Sequence, residues 1–183
     1  MGWPLLLTPI LIAFLELIID PACSIVLEAE AEEKNIMARP PRDPEAKLLS
    51  HSLLGWGAVQ GSIALLAVAA VCVSGVRAGL ATEDLRALTF VSLVTGNFAM
   101  IFSSRTFSSS VLSVLSRPNA TLAWGTGIVG ALLAMILGWS TLRGFFQLGE
   151  VAVENLLLCA LVALAVLAAL QFLKRLYGAR LMT

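Results

Sequence analysis

Charged residues are scarce in this chain. Only 13% of its 183 residues are Asp, Glu, Lys or Arg, whereas 58% are hydrophobic, and the mean hydropathy is +0.91. A soluble domain carries roughly 25% charged residues, so the composition excludes a soluble enzyme. The formal net charge is zero, which gives no electrostatic basis for binding nucleic acid or a strongly acidic partner. The composition therefore indicates a membrane protein.

Cysteine is also rare. The three cysteines, Cys23, Cys72 and Cys159, have no metal-ligand spacing and fall in apolar stretches, so we predict that they are packing residues. The first apolar run has no basic segment before it and contains Glu16 and Asp20. These features argue against a secretory signal peptide.

The sequence contains several long apolar runs. A helix of about 20 residues crosses a hydrocarbon core of about 30 Å, and five runs reach that length. They cover residues 9–28, 53–76, 85–104, 121–140 and 153–176. We predict an all-α polytopic membrane protein in which residues 1–183 form one transmembrane domain with about five helices and a long polar loop at 29–52.

The basic residues are divided unequally between the two sides of these runs. Nine of the 12 Lys and Arg residues fall in the first loop, the loop after the third run and the C-terminal tail, and only Arg77, Arg86 and Arg143 fall on the other side. The positive-inside rule then predicts a cytoplasmic C-terminus and an outer Met1. An outer N-terminus without a signal peptide is unusual, so we expect the chain to be the later part of a longer protein.

The first run contains two acids and a helix breaker. Glu16 and Asp20 are four residues apart, so on a helix they share one face with Cβ atoms about 5–6 Å apart. Each ionised side chain near the centre of a membrane helix costs on the order of 2.5–3.5 kcal/mol. Pro21 cannot donate a hydrogen bond to the carbonyl of Leu17, so it kinks or unwinds the helix beside Asp20. Two carboxylates and freed carbonyls predict a site for a hard cation or a proton.

The alternative is a structural one. A proline kink can occur without transport, with both carboxylates bonded to neighbouring helices. Asn97 in the third run has two interpretations as well, because its amide could be an oxygen ligand or an interhelical hydrogen-bonding group. Gln60, Ser62 and Ser92 are predicted to be polar helix-packing residues.

These residues resemble a known family. Gly2-Trp-Pro4, Pro9, Glu16-Leu-Ile-Ile-Asp20 and Asn35-Ile-Met-Ala-Arg-Pro-Pro-Arg42 are similar, without a gap, to the end of the fifth helix, the sixth helix and the next cytoplasmic loop of P-type cation-transporting ATPases. Arg86 to Asn97 resembles the eighth helix more loosely, and Leu170 to Lys174 resembles the end of the tenth. The resemblance implies that the chain corresponds to helices six to ten of such a pump.

The resemblance also implies a cation site. The family's cation-binding aspartate falls on Asp20, its asparagine ligand on Glu16 and its threonine ligand on Ile19, and the acidic eighth-helix ligand of some calcium pumps falls on Asn97. We therefore expect Glu16, Asp20 and Asn97 to be metal ligands. Glu16 adds a charge and Ile19 removes an oxygen, whereas calcium takes six to eight oxygens. The ion could be calcium, another divalent cation or a proton, and the sequence looks like a bacterial branch of the family.

The family's catalytic motifs are missing from the sequence. The phosphorylation motif D-K-T-G-T, the T-G-E loop and the G-D-G-x-N-D hinge do not occur in the 183 residues. ATP and magnesium are therefore expected to bind only to the remaining, N-terminal part of the pump, whose phosphorylation domain would pack against the Arg39-Pro-Pro-Arg42 loop. We expect a multi-pass protein of the bacterial inner membrane that contacts lipid and this N-terminal part. The alternative is a free-standing channel, carrier or accessory subunit derived from the same fold.

Overall fold

The structure is a computed structural model that describes residues 5–16, 24–25, 28–29, 51–104 and 120–181. Helices account for most of these residues, which confirms the prediction of an all-α protein for the described part of the chain. In chain order the helices are α1 Pro9–Phe14, α2 His51–Arg77, α3 Thr82–Ser104, α4 Ala120–Gly138, α5 Ser140–Phe145 and α6 Val153–Leu181.

Three of these helices are long and apolar enough to cross a membrane. They are α2, α3 and the part of α6 from Val153 to Leu176, and they overlap the second, third and fifth runs predicted from the sequence. The apolar part of the fourth, Ala123–Gly138, is shorter. It ends because Trp139 has an extended backbone, after which α5 begins. Of the first predicted span, 9–28, the structure describes residues 9–16, 24–25 and 28.

α2, α3 and α6 form a three-helix bundle in which α3 is the most buried member. α3 and α6 run in parallel with a constant offset of 71 positions. The Cys159 thiol donates to the carbonyl of Leu88 at 3.8 Å, and further along the Lys174 ammonium donates to the carbonyl of Ser103. α2 runs antiparallel to α3, since its last turns pack at Leu88. We call the two ends of this bundle the Arg86 end and the Lys174 end.

A buried arginine holds the Arg86 end together. Arg86 is 8% exposed, and its Nε and Nη2 atoms each donate to the carbonyl of Leu5 at 3.1 Å. Its Nη1 atom donates to the carbonyl of Gln147 at 2.8 Å and to Oε1 of that residue at 3.3 Å. No carboxylate of the described residues forms an ion pair with it. The guanidinium therefore joins the segment before α1, the first turn of α3 and the loop after α5.

The loop after α5 is shaped to fit this arrangement. Gln147 has a φ of 54°, a left-handed conformation that is uncommon for a residue other than glycine. Two residues later, the N–H of Gly149 donates to the carbonyl of Glu83 at 2.9 Å. A Cβ at Gly149 would overlap the backbone and carboxylate of Asp84, so only glycine allows the loop to approach α3 this closely.

α1 packs on α3 through an aromatic cluster. The Phe14 ring lies 5.8 Å from the Phe90 ring and 5.8 Å from the Phe146 ring, both edge to face. Leu11, one turn earlier, is fully buried in the same cluster. Because Leu5 is held at Arg86 and Phe14 lies beside Phe90, α1 and α3 run in the same direction.

We predict that Arg86→Met lowers the free energy of unfolding of the chain by about 2–3 kcal/mol, because it leaves the carbonyls of Leu5 and Gln147 without their charged donor. Unfolding of the detergent-solubilised chain, followed by Trp fluorescence, measures this loss. Arg77→Met is the matched control, since Arg77 is exposed at the end of α2 and its removal should change stability by less than about 0.5 kcal/mol. Equal effects of the two substitutions would contradict the role given to Arg86.

Candidate cation-binding site

Glu16 lies at the end of the first helical segment. It follows Phe14 by two residues, and Leu15 and Glu16 continue α1 with a wider, π-type turn. Such turns occur often at functional sites. The Glu16 side chain is exposed, and it has no hydrogen bond or ion pair with any residue that the structure describes. Both carboxylate oxygens of Glu16 are therefore without a partner among the described residues.

Asp20, the second predicted acid, lies outside the described residues, as do Pro21 and the Arg39-Pro-Pro-Arg42 loop. The predicted pairing of Asp20 with Glu16 on one helix face therefore stays a prediction. The described residues also contain no group of three or more His, Cys, Asp or Glu side chains that could hold a metal ion. A complete metal site is thus not formed by the described part of the chain.

Asn97, the third predicted ligand, is half-buried on α3 and lines a cavity of about 630 Å³. The cavity lies between residues 6–7, α2 and α3, and most of its lining is apolar. Thr89 also lines it, but the hydroxyl of Thr89 donates to the carbonyl of Leu85 at 2.8 Å. The Asn97 amide has no hydrogen bond within the described part of the chain. It is therefore a polar group that faces an apolar cavity without a partner there.

The structure does not bring Glu16 and Asn97 into contact. Phe14 packs beside Phe90, and Asn97 follows Phe90 by seven residues, which is about 10 Å along the axis of α3. Glu16 lies about 3 Å beyond Phe14 in the same direction. The two residues thus belong to neighbouring helices, lie on the same side of the Phe14–Phe90 contact and are separated by about 7 Å along the helix axes.

The carboxylate and the amide have suitable chemistry for a hard cation. Carboxylate and amide oxygens are ligands of calcium and magnesium, but calcium takes six to eight oxygens. One carboxylate and one amide supply too few. A cation held here needs further oxygens from other residues of this chain, from water or from a partner.

The sequence does not predict the role of two residues in this region. From the sequence, Arg86 is a charge on the outer side and the first residue of the stretch that resembles the eighth helix, whereas its guanidinium is buried near the start of α3. Its position just inside the predicted span 85–104 was a usable signal, because a charged residue within a span nearly always has a specific partner. Thr89 lines the cavity that Asn97 faces, and nothing in its local sequence distinguishes it from a packing residue.

Comparison with known protein families gives a match that covers most of the chain. A family model described as "Cation transporting ATPase, C-terminus" matches residues 4–176. The match covers the segment held by Arg86, the cavity and the three-helix bundle. No curated protein gives a significant match to the chain.

We predict that Asn97→Leu changes the free energy of unfolding of the isolated chain by less than about 0.5 kcal/mol, because the amide has no partner in the described bundle. Interhelical hydrogen bonds in membranes contribute about 0.6 kcal/mol on average and up to about 1.7. A loss near the upper value in reversible unfolding would identify Asn97 as a packing residue instead. Ser92→Ala on the same helix is the control for removal of a buried side chain that has a partner, since the Ser92 hydroxyl bonds to the carbonyl of Thr89.

Proposed function

The chain belongs to the family of C-terminal regions of cation-transporting ATPases, and from this premise we propose that it supplies part of the intramembrane cation-binding site of an ATP-driven pump. Glu16, Asp20 and Asn97 are the proposed ligands. The transported cation is calcium, another divalent cation or a proton. The family match over residues 4–176 is the observation that carries this proposal.

Two further observations support the proposed ligands. The Glu16 carboxylate and the Asn97 amide have no hydrogen-bond partner among the described residues, although both lie in or next to apolar helices. Polar groups in a membrane are costly unless they are paired or serve a ligand. Asp20 is included because it follows Glu16 by four residues and stands beside Pro21.

The sequence of this chain has no motif that would bind ATP. The phosphorylation motif and the nucleotide-binding motifs are absent from it, so ATP and its magnesium ion are proposed to bind to the N-terminal part of the pump. The contribution of this chain is to bind the cation between α1 and α3 and to hold these two helices in place through Arg86 and the Phe14 cluster.

The proposal includes a location and two partners. An exposed tryptophan lies near each end of α4, Trp124 within the helix at 73% exposure and Trp139 directly after it at 60%, which suits the two interfaces of a bilayer. The distribution of basic residues favours a cytoplasmic C-terminus, and the resemblance favours the inner membrane of a bacterium. The first proposed partner is thus the lipid bilayer. The second is the N-terminal part of the pump, with its own membrane helices and cytoplasmic domains.

The genes next to the one that encodes this chain test directly whether the chain is part of a pump. An adjacent gene or an upstream open frame that encodes D-K-T-G-T and four or five more spans is the expected result. An unrelated neighbour, in a genome without a matching pump gene, would count against the proposal. It would favour the free-standing module, for which the purified chain in liposomes should conduct cations without ATP.

We predict that Asp20→Asn in the assembled pump raises the cation concentration for half-maximal transport by about 10- to 100-fold. The reason is that loss of a charged ligand removes about 1.5–3 kcal/mol of binding free energy. Glu16→Gln is expected to act in the same direction, and ATP-dependent cation uptake into vesicles measures both. Glu154→Gln is the matched control, because Glu154 is an exposed acid in the first turn of α6. Unchanged transport by both variants would rule out the proposed ligands.

A further inference from the structure

The Lys174 end of the three-helix bundle contains a layer of buried polar side chains. Gln60 on α2 is 8% exposed, Ser103 on α3 is fully buried and Lys174 on α6 is 6% exposed. The layer directly before it is apolar and is built around Ala99 and Leu170. Polar side chains are costly in a membrane interior, so three of them at one level need an explanation.

The helix register places these three residues together. The offset of 71 between α3 and α6 joins Leu88 to Cys159 and Ser103 to Lys174. The antiparallel helix α2 has Val71 beside Leu88 in one cluster.

The same stripe of α2 continues into the apolar layer. Ile63 and Ala67 pack in the cluster of Ala99 and Leu170. Gln60 is one turn beyond Ile63 on the same face of α2, and Ser103 is one turn beyond Ala99 on α3. Gln60 and Ser103 therefore face each other across the α2–α3 interface.

Two atoms of this layer have no hydrogen-bond partner among the described residues. They are Nε2 of Gln60 and Oγ of Ser103, and both are inaccessible to solvent. Lys174 is different, because its ammonium donates to the carbonyl of Ser103 in the last turn of α3. A buried polar atom left without a partner costs about 1–3 kcal/mol, and here two such atoms lie at one level.

We propose that Gln60 and Ser103 bind one buried water molecule at the Lys174 end of the bundle. The water accepts a hydrogen bond from Nε2 of Gln60 and forms a second one with the hydroxyl of Ser103. A buried water needs two to four polar partners, and the Lys174 ammonium lies in the same layer.

A neutral ligand fits this place better than an anion. Ser103 is in the last turn of α3, where the carbonyl end of the helix dipole carries a partial negative charge. The Lys174 ammonium is directed at this carbonyl end and offsets that charge. An anion would have to compete with the α3 carbonyls for the same ammonium, whereas water brings no charge.

The water site has a consequence for the rest of the bundle. It joins α2 to the end of α3, which Lys174 already joins to α6. All three helices are then tied together at this level by polar contacts, and α3 also carries Asn97 about two turns earlier. The water site is independent of the proposed cation transport, and it can be tested on this chain without the rest of the pump.

A double-mutant cycle on the full chain tests the site. Gln60→Leu and Ser103→Ala are each expected to lower the equilibrium constant for folding about tenfold. Each substitution leaves a buried hydrogen-bonding group of the layer without its partner. The double variant should lose little more than either single variant, since the water leaves with both partners. Ser92→Ala combined with Gln60→Leu is the matched control and should show additive effects. Neutral or stabilising single substitutions, or additive losses at Gln60 and Ser103, would overturn the proposal.

A second measurement keeps the test valid if a variant does not fold. In ¹⁵N-labelled chain in lipid bilayers, solid-state NMR transfer of magnetisation from water to the Gln60 side-chain amide is expected in the unsubstituted protein. Absence of this transfer would overturn the proposal. Replacement of chloride by gluconate should leave stability unchanged, whereas a tenfold change would identify an anion and reject water as the ligand.

Discussion

Every polar group that enters a hydrocarbon medium must find its partner inside the protein, and this constraint organises the structure. The Arg86 guanidinium meets it by donating to carbonyls of Leu5 and Gln147. These bonds join three chain segments that also meet in the apolar cluster of Phe14, Phe90 and Phe146. The left-handed Gln147 and the close approach of Gly149 to α3 follow from the same requirement. The Arg86 guanidinium and the Phe14 cluster together attach the short segments to the long helices.

The same constraint separates two kinds of polar residue in α3. Thr89 and Ser92 bond to carbonyls of their own helix, so they are satisfied without any neighbour. Asn97 has a longer side chain with both a donor and an acceptor, and no described residue satisfies it. The first kind is compatible with packing alone. The second kind leaves a donor and an acceptor available for a ligand, and this difference makes Asn97 a better candidate for the site than the hydroxyls around it.

The long helices could be predicted from the sequence, and the placement of the polar side chains could not. The bounds of α2 and α3 follow from local properties, namely apolar length and flanking charge, and the structure differs from the predicted spans by at most three residues at either end. The fourth predicted span, 121–140, ends two residues beyond α4, because neither a proline nor a charge marks the break at Trp139. Gln60 was predicted to be a packing residue, but its unpaired Nε2 depends on which residue of α3 faces it. That information lies in the register between helices.

The two ends of α3 are held by different groups, and this limits how the candidate site can work. Arg86 ties the first turn of α3 to the segment before α1, and Lys174 ties its last turn to α6. A helix fastened at both ends and buried along most of its length cannot shift without breaking several hydrogen bonds at once. Among the described residues, α1 is held by the carbonyl of Leu5 and by apolar contacts of Leu11 and Phe14. Apolar contacts are non-directional, so they fix the position of α1 less strictly than the hydrogen bonds at both ends fix α3. By the described contacts, Asn97 therefore lies on the more firmly held side of the candidate site and Glu16 on the less firmly held side.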